Sequence, residues 1–355
     1  MPESKTSVLV GLSGGVDSAV AAMLLVRAGH RVCGVTFSLW TDPDCRGQNL
    51  CCSSDTLLAA ERIAEDLGIT HEVVDLSADF YADVVRPFVE GYARGCTPNP
   101  CVACNAYVRV PALLRKADEM GYRLVATGHY ARMQGTPPRL HRGRSQAKDQ
   151  SYVLAGVQPA LLERLLFPLG DLTKAQVRSL ALQAGLDVGA QAESQEICFI
   201  PDNDHRRFLA TRLTPKPGLI LDHYGREIGK HDGIHRFTIG QRRGLGVAAT
   251  EPLYVLEIRQ GDGVVIVGAA EFLAVRRLTV RELVWHRRPV SMSGLTVQIR
   301  SMGRAVPVHV IHYEEEVLEL DLECRERAAA PGQAAVLYSG DAVVCGGIIA
   351  TSKPE

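Results

Sequence analysis

The chain has 355 residues, 46% apolar and 22% charged, with 39 Lys and Arg against 40 Asp and Glu for a net charge of −1. These proportions exclude a disordered chain and a fibrous repeat, and at roughly 100–200 residues per domain the length provides for two or three domains. The longest uncharged apolar run, Ala19 to Val26, falls far short of the ~20 residues a membrane span needs. Met1–Lys5 is polar with no apolar signal segment behind it, so neither export nor a membrane is expected and a cytoplasmic location is.

In chain order, Ser7 to Gly11 reads as a buried strand and Ser18 to Ala28 as a helix stopped by Gly29. Arg31 to Trp40 is β-rich, Asp55 to Leu67 helical, and His71 to Leu76 a third strand. Ala78–Arg94 and Ala106–Met120 carry amphipathic helical patterns, and Arg123 to Thr127 closes the series as a strand. Such alternation predicts an α/β parallel sheet with helices on both faces. A helix over Thr173–Ala184 follows, and the Pro-rich stretch Thr214–Gly218 marks a boundary. Beyond Phe272, six short β-branched runs separated by Gly, Pro or charge predict a small antiparallel barrel or sandwich. The expected division is 1–205, 206–270 and 271–355.

Charge is unevenly spread. His205–Arg243 holds nine Lys or Arg against three Asp or Glu, and Arg276–Arg304 holds seven Arg against Glu282. Both stretches are candidate polyanion surfaces, or else solvated faces balanced by acidic ones such as Glu314, Glu315 and Glu316. Ten cysteines in an unexported chain point to thiol or metal chemistry more than to disulfides. Cys101 and Cys104 form C-x-x-C, Cys198 stands alone in SQEICFIP, and Cys45, Cys51 and Cys52 form C-x5-C-C. The last group lacks a fourth ligand and reads as a loop with incidental thiols.

The sharpest motif is GLSGGVDS, comprising Gly11, Leu12, Ser13, Gly14, Gly15, Val16, Asp17 and Ser18, between the first strand and first helix. Small residues let backbone N–H groups approach a phosphate, and a helix N-terminus adds partial positive charge. The motif is neither a Walker A loop nor G-x-G-x-x-G. It predicts a pyrophosphate cradle, with Asp17 available for Mg²⁺.

SGGVDS resembles the PP-loop of the ATP pyrophosphatases. CTPNPCVACN (Cys96–Asn105), ATGHYAR (Ala126–Arg132), KDQSYVL (Lys148–Leu154), ICFIP (Ile197–Pro201) and IGQRRGLG (Ile239–Gly246) narrow the resemblance to the bacterial tRNA-specific 2-thiouridylase family. The resemblance implies an adenine nucleotide α-hydrolase-like domain, a small central domain and a C-terminal β-barrel. It implies replacement of the C2 oxygen of wobble uridine 34 in tRNA by sulfur, after adenylation by ATP. By motif, Gly11 to Ser18 bind the ATP phosphates, while Phe37 and Gly128 contact the nucleotide. Cys104 is the nucleophile and Cys198 the persulfide carrier. Asn99, Pro100 and Cys101 lie where the target base binds. His129, Lys148, Asp149, Gln150, Arg300 and Ser301 lie where tRNA is contacted, although Ser301 departs from the aromatic residue expected there. Partners implied are the tRNA anticodon loop and a cysteine desulfurase or sulfur-relay protein as persulfide donor.

Cys101 stands where many relatives have Asp. With Cys104 and Cys198 it could hold a [4Fe-4S] cluster by three corners or Zn²⁺, or it could be a passive replacement beside a persulfide relay. Cys104 is expected just ahead of a helix starting near Ala106, where the dipole favours the thiolate. Competing readings are another PP-loop ligase or thiolase, acting on cytidine-32 or a small amide acceptor, and a nucleotide-linked iron-sulfur sensor.

Overall fold

The computed structural model describes residues 6–43, 54–186, 197–200, 202, 204–289, 291–314, 316–327 and 329–353. The C-x5-C-C group at Cys45, Cys51 and Cys52 lies outside them. The chain divides into two compact units: Met1–Val84, Cys101–Asn203 and Asp341–Val343 in the first, and Val85–Pro100, Asp204–Gly340 and Val344–Glu355 in the second.

The first unit is built on a five-stranded parallel sheet. From one edge the order is Thr70–Asp75, Arg31–Ser38, Ser7–Gly11, Leu124–Ala126, Leu165–Leu166. Val8, Leu9 and Val10 are wholly buried, as a central strand covered on both faces requires. The helix Val16–Arg27 turns Val20, Ala21 and Ala22 into the same core as Ile63 of Ser54–Asp66 and Val177 and Ala181 of Lys174–Gln183. Strand order reverses direction at Ser7–Gly11: the chain first winds outward to one side and then crosses to the other. Ligands bind α/β sheets at the carboxyl ends of strands at such a switch point. GLSGGVDS leaves the sheet there.

A hairpin, Ala131–Gln134 with Arg139–Arg142, extends from the unit, and Ala342 pairs with its His141. No sequence signal had marked it, because strands of four residues carry too little periodicity.

The second unit contains two sheets. A four-stranded one has the order Tyr254–Arg259, Val264–Gly268, Gly218–Asp222, Glu227–His231. The other closes into a six-stranded barrel, since Ala274–Trp285 pairs with Val317–Arg327 on one side and with Ala342–Lys353 on the other. All six β-branched runs noted in the sequence lie in its strands. Alternation fills its interior: Leu318, Leu320 and Leu322 are all but inaccessible, while Glu319 and Glu323, between and after them, reach solvent or its margin. Among the described residues, no helix is long and apolar enough to cross a membrane.

Candidate active site

The loop after the first strand is shaped by backbone. Gly14 has φ +72°, and a Cβ there would lie 2.6 Å from the Thr56 carbonyl oxygen, so only glycine closes the turn. Ser18 holds the far side: its Oγ accepts from the Ser13 amide at 3.1 Å and donates to the Gly15 carbonyl at 2.9 Å. Gly15 caps the helix without a side chain of its own. The first amides of Val16–Arg27 therefore stand at the strand end as anion donors. Leu12 is pinned from behind, since its amide donates to Val35 O at 2.8 Å and its carbonyl accepts from Thr36 Oγ1 at 2.8 Å.

Asp17 is the meeting point of distant motifs. Lys174 Nζ donates to both of its carboxylate oxygens, at 2.8 and 2.7 Å, and Tyr130 Oη donates to Oδ1 at 2.7 Å. Lys174 is placed by a capping box: Thr173 Oγ1 accepts from the Gln176 amide at 3.3 Å and Gln176 Oε1 accepts from the Thr173 amide at 2.8 Å. That fixes Lys174 at the first helical position. Both oxygens of Asp17 thus have donors, and a Mg²⁺ ion at this carboxylate would share it with the Lys174 ammonium or displace it.

Gly128 packs directly on this corner. A Cβ on it would lie 2.9 Å from Asp17 C and Ser18 N, which accounts for glycine between Thr127 and His129. The His129 ring accepts or donates at Nδ1 to Thr127 Oγ1 at 2.8 Å and meets Phe167 edge-on at 6.3 Å. Burial first, and then the Arg109 charge, push its pKa down to about 4, so the imidazole is neutral. Phe37 is half-buried on the second strand opposite Val74.

The KDQSY segment is largely internal strut. Asp149 accepts from Arg142 Nη1 at 2.8 Å, the Gly143 amide at 2.9 Å, the Ser151 amide at 3.0 Å and Ser151 Oγ at 2.9 Å. Gln150 and Tyr130 exchange bonds, each at 2.9 Å, through the Gln150 amide and its Oε1. The motif therefore holds the tyrosine that holds Asp17. Lys148 is its one cationic member, half-buried at the end of a 3₁₀ turn.

Cys104 lies inside a helix, not ahead of one. Pro100–Ala103, a π-helical turn Cys104–Arg109 and Val110–Glu119 run on without a break, because Pro100 starts the helix at the position where a missing N–H costs nothing. Cys104 is the fifth residue of that run, past the first turn in which the helix dipole acts, so its thiol gains no N-terminal stabilisation of the thiolate. Cys104 is buried, Cys101 exposed and Cys198 half-buried. Phe199, next to Cys198, meets Phe80 edge-on at 5.7 Å, and the Ser77–Phe80 turn packs against Cys104–Arg109. The two cysteine segments therefore share a neighbour. Asn105 Nδ2 donates to Cys101 O at 3.0 Å while its Oδ1 is buried without a partner. Among the described residues no three His, Cys, Asp or Glu side chains are placed to hold a metal ion. Cys101, Cys104 and Cys198 thus do not form the three-cornered set that a [4Fe-4S] cluster or Zn²⁺ would need.

In the second unit Asn99 and Pro100 are half-buried. Arg300 and Ser301 sit exposed on a turn whose carbonyls both accept from Gln298 Nε2 at 2.9 Å. Arginines of the two basic stretches are partly neutralised: Arg276 pairs with Asp321 at 3.0 Å, Arg304 with Glu326 at 3.3 Å, Arg226 with Asp222 at 2.7 Å and Arg236 with Asp232 at 2.8 Å. The linear charge excess overstates the surface field.

Residues 6–202 match the model of the tRNA methyl transferase HUP domain, 206–269 that of the tRNA methyl transferase PRC-barrel domain, and 275–349 that of the aminomethyltransferase beta-barrel domain. The chain is 43% identical over 358 residues to the tRNA-specific 2-thiouridylase MnmA of Chloroflexus aurantiacus, covering 98% of this chain and 99% of that one. It is 42% identical to the protein of the same name from Acidothermus cellulolyticus, covering 98% of each. A bifunctional protein NifU/MnmA of Rubrobacter xylanophilus is 47% identical over 98% of this chain and 70% of its own length. The chain belongs to the tRNA-specific 2-thiouridylase family.

Within that family frame, Lys174 and Tyr130 are the site residues that sequence reasoning passed over. A capping-box Thr-Lys-x-Gln at the start of a helix was visible, but nothing in it pointed 157 residues back to Asp17.

Two outcomes follow from this geometry. Lys174→Met should lower ATP cleavage to pyrophosphate at least tenfold, and Asp17→Ala should abolish it with tRNA affinity nearly intact; pyrophosphate release and filter binding measure both. The second concerns pH. The folded pKa of His129, about 4, lies below the unfolded value of 6.5. Below pH 6.5 the unfolded chain therefore binds a proton that the folded one refuses, and stability falls until about pH 4. His129→Gln should flatten that slope in urea titrations without removing it, since His71, His141, His231 and His235 are shifted the same way by burial.

Proposed function

We propose that this chain is a tRNA-uridine 2-sulfurtransferase that adenylates the C2 oxygen of wobble uridine 34 with ATP and then replaces it by sulfur from a protein persulfide. The observation that carries the reading is the anion-binding loop at the sheet's switch point, with the Asp17–Lys174–Tyr130 corner beside it and the cysteine-bearing helix in the same unit. Sulfur transfer, not methyl transfer, is the chemistry that such a combination of phosphate loop and thiols serves.

A carbonyl oxygen of uracil is a very poor leaving group. Its attack on the α-phosphorus of ATP expels pyrophosphate and converts it into the oxygen of AMP, a good leaving group. Within Gly11–Ser18 the amides at the helix start, Gly14 to Val16, bind the phosphates, since those of Leu12 and Ser13 are engaged inside the loop; Phe37 and Gly128 border the adenosine, and Mg²⁺ accompanies the triphosphate. The outer sulfur of a Cys198 persulfide then forms the bond to C2 and AMP departs. Cys104 attacks the inner sulfur, leaving the thiocarbonyl on the base and a Cys104–Cys198 disulfide, which an external thiol must reduce by two electrons. In this reading Asn99, Pro100 and Cys101 border the base, and His129, Lys148, Arg300 and Ser301 face the tRNA. Asp149 and Gln150 act through the fold. Cys101 is a passive replacement.

The reading assigns catalysis to residues 1–205, tRNA contacts to 206–270, and a barrel that completes the tRNA surface to 271–355. A cysteine desulfurase or relay protein in the cytoplasm would load Cys198.

The test is mass spectrometry of tRNA nucleosides after incubation with ATP, Mg²⁺ and a persulfide donor. Cys104→Ser and Cys198→Ser should each eliminate 2-thiouridine, whereas Cys101→Ser in iron-free protein should retain most activity; activity restored only by iron and sulfide would overturn the relay. A second expectation concerns Arg242 and Arg243, exposed in IGQRRGLG. Affinity for tRNA should fall steeply with salt, and charge reversal at both should weaken all tRNAs alike and flatten the slope by about two phosphates.

A further inference from the structure

Thr97-Pro98-Asn99-Pro100 has only two backbone N–H groups, because its prolines supply none. Thr97 and Asn99 each precede a proline, which biases both toward extended backbone. A segment like this cannot join a regular hydrogen-bonded ladder, so something other than sheet pairing must hold it, and Thr97 carries one of its two amides.

The structure shows what does. Upstream, the Cys96 amide donates to Gly91 O at 3.0 Å, and a Cβ on Gly91 would overlap the Pro98 ring. From the barrel, the turn Pro331–Gln333 grips both faces of the Thr97 peptide: the Thr97 amide donates to Pro331 O at 2.8 Å, and Gln333 Nε2 donates to Thr97 O at 2.8 Å. Between them, Gly332 at φ +91° takes a backbone conformation that strains any other residue, and a Cβ on it would press on Thr97, 3.0 Å from its N and C. The turn itself is rigidly mounted. Gly332 N donates to Ile349 O at 2.9 Å and Ile349 N to Gln333 O at 2.8 Å, and Ile349 is buried in the barrel core.

We propose that Pro331–Gln333 is a positioning element for the segment Cys96–Pro100, with the Gln333 amide and the bare Gly332 as its working parts. The proposal rests on the assignment of Asn99 and Pro100 to the target base. Only Pro98 separates the gripped Thr97 from Asn99, and the chain then runs straight into the helix bearing Cys101 and Cys104. Displacement of the base by an ångström relative to the thiol geometry lowers reaction far more than binding.

The test compares full-length wild type with Gln333→Ala and Gln333→Glu. Gln333→Ala should lower kcat for 2-thiouridine formation about tenfold while KM for tRNA and Kd for ATP stay within twofold. Gln333→Glu should be as impaired at neutral pH, where a carboxylate faces the Thr97 carbonyl, and should recover relative to wild type as the pH falls and the protonated carboxyl donates. Wild-type kcat in both variants, a loss of tRNA affinity matching the loss of rate, or a pH-independent defect in Gln333→Glu would each overturn the proposal. Hydrogen exchange in the unmodified protein needs no variant to fold: the Thr97 amide should exchange as slowly as the barrel strands, and exchange at the rate of an open loop would overturn the brace. A wild-type enzyme that forms no 2-thiouridine but protects Thr97 sinks the functional reading and leaves the brace standing.

Discussion

A carboxylate in a phosphate cradle is an electrostatic liability unless something answers its charge. Asp17 sits in the first turn of a helix whose amides are meant for an anion, and alone it would repel a triphosphate. Lys174 and Tyr130 remove that difficulty. The ion pair leaves the corner near neutral, so the backbone donors of Gly14 to Val16 set the local sign. Because the Asp17 and Lys174 side chains retain about 33% and 15% of their exposure, the pair contributes little net stability. Its consequence is geometric: it fixes the helix Lys174–Gln183, the strand end before Tyr130 and the loop to one another.

The same logic extends outward from Tyr130. Gln150 holds its backbone from both sides, and Asp149 gathers four donors to keep Gln150 in place. Asp149 and the Gln150 Oε1, polar groups of a motif expected to contact tRNA, are engaged within the chain's own framework. A carboxylate that accepts four bonds in a largely buried site has no lone pair to offer a polyanion, and would repel one if it did. In the proposed reading the charge that meets tRNA comes from Lys148, from exposed arginines such as Arg242 and Arg243, and from the turn at Arg300.

Much of the fold was legible because its signals are strong and local. Continuous apolar runs at Ser7–Gly11 and Arg31–Ser38 mark strands buried on both faces, and glycines at Gly29, Gly68 and Gly121, each with positive φ, stop the helices where the pattern breaks. The six barrel strands alternate well enough to be read singly. Pairing was not legible: the closure of Ala274–Trp285 onto Ala342–Lys353 joins residues some 70 apart. At the site, the glycines of GLSGGVDS announce a backbone function, whereas Lys174 looks like any first-turn lysine. The helix expected to start near Ala106 begins six residues earlier, at Pro100, so that Cys104 lies within it; the amphipathic pattern marks the body of that helix and not its proline-initiated first turn.

The exposure of the three cysteines bears on how sulfur could travel. A persulfide carrier must be reached by a second protein, and a thiol that only resolves the carrier gains from being hidden, since accessible thiolates are the ones lost to oxidation. Cys198 is half-buried and Cys104 is buried within a π turn, a geometry that widens a helix locally and recurs where a side chain must be re-aimed. Cys101, exposed one turn earlier, is the most accessible of the three. Its carbonyl is the acceptor for Asn105 Nδ2. That bond orients Asn105 and leaves its Oδ1 buried with no protein partner, and an unsatisfied acceptor of this kind costs about 1–3 kcal/mol unless water or a bound group supplies a donor.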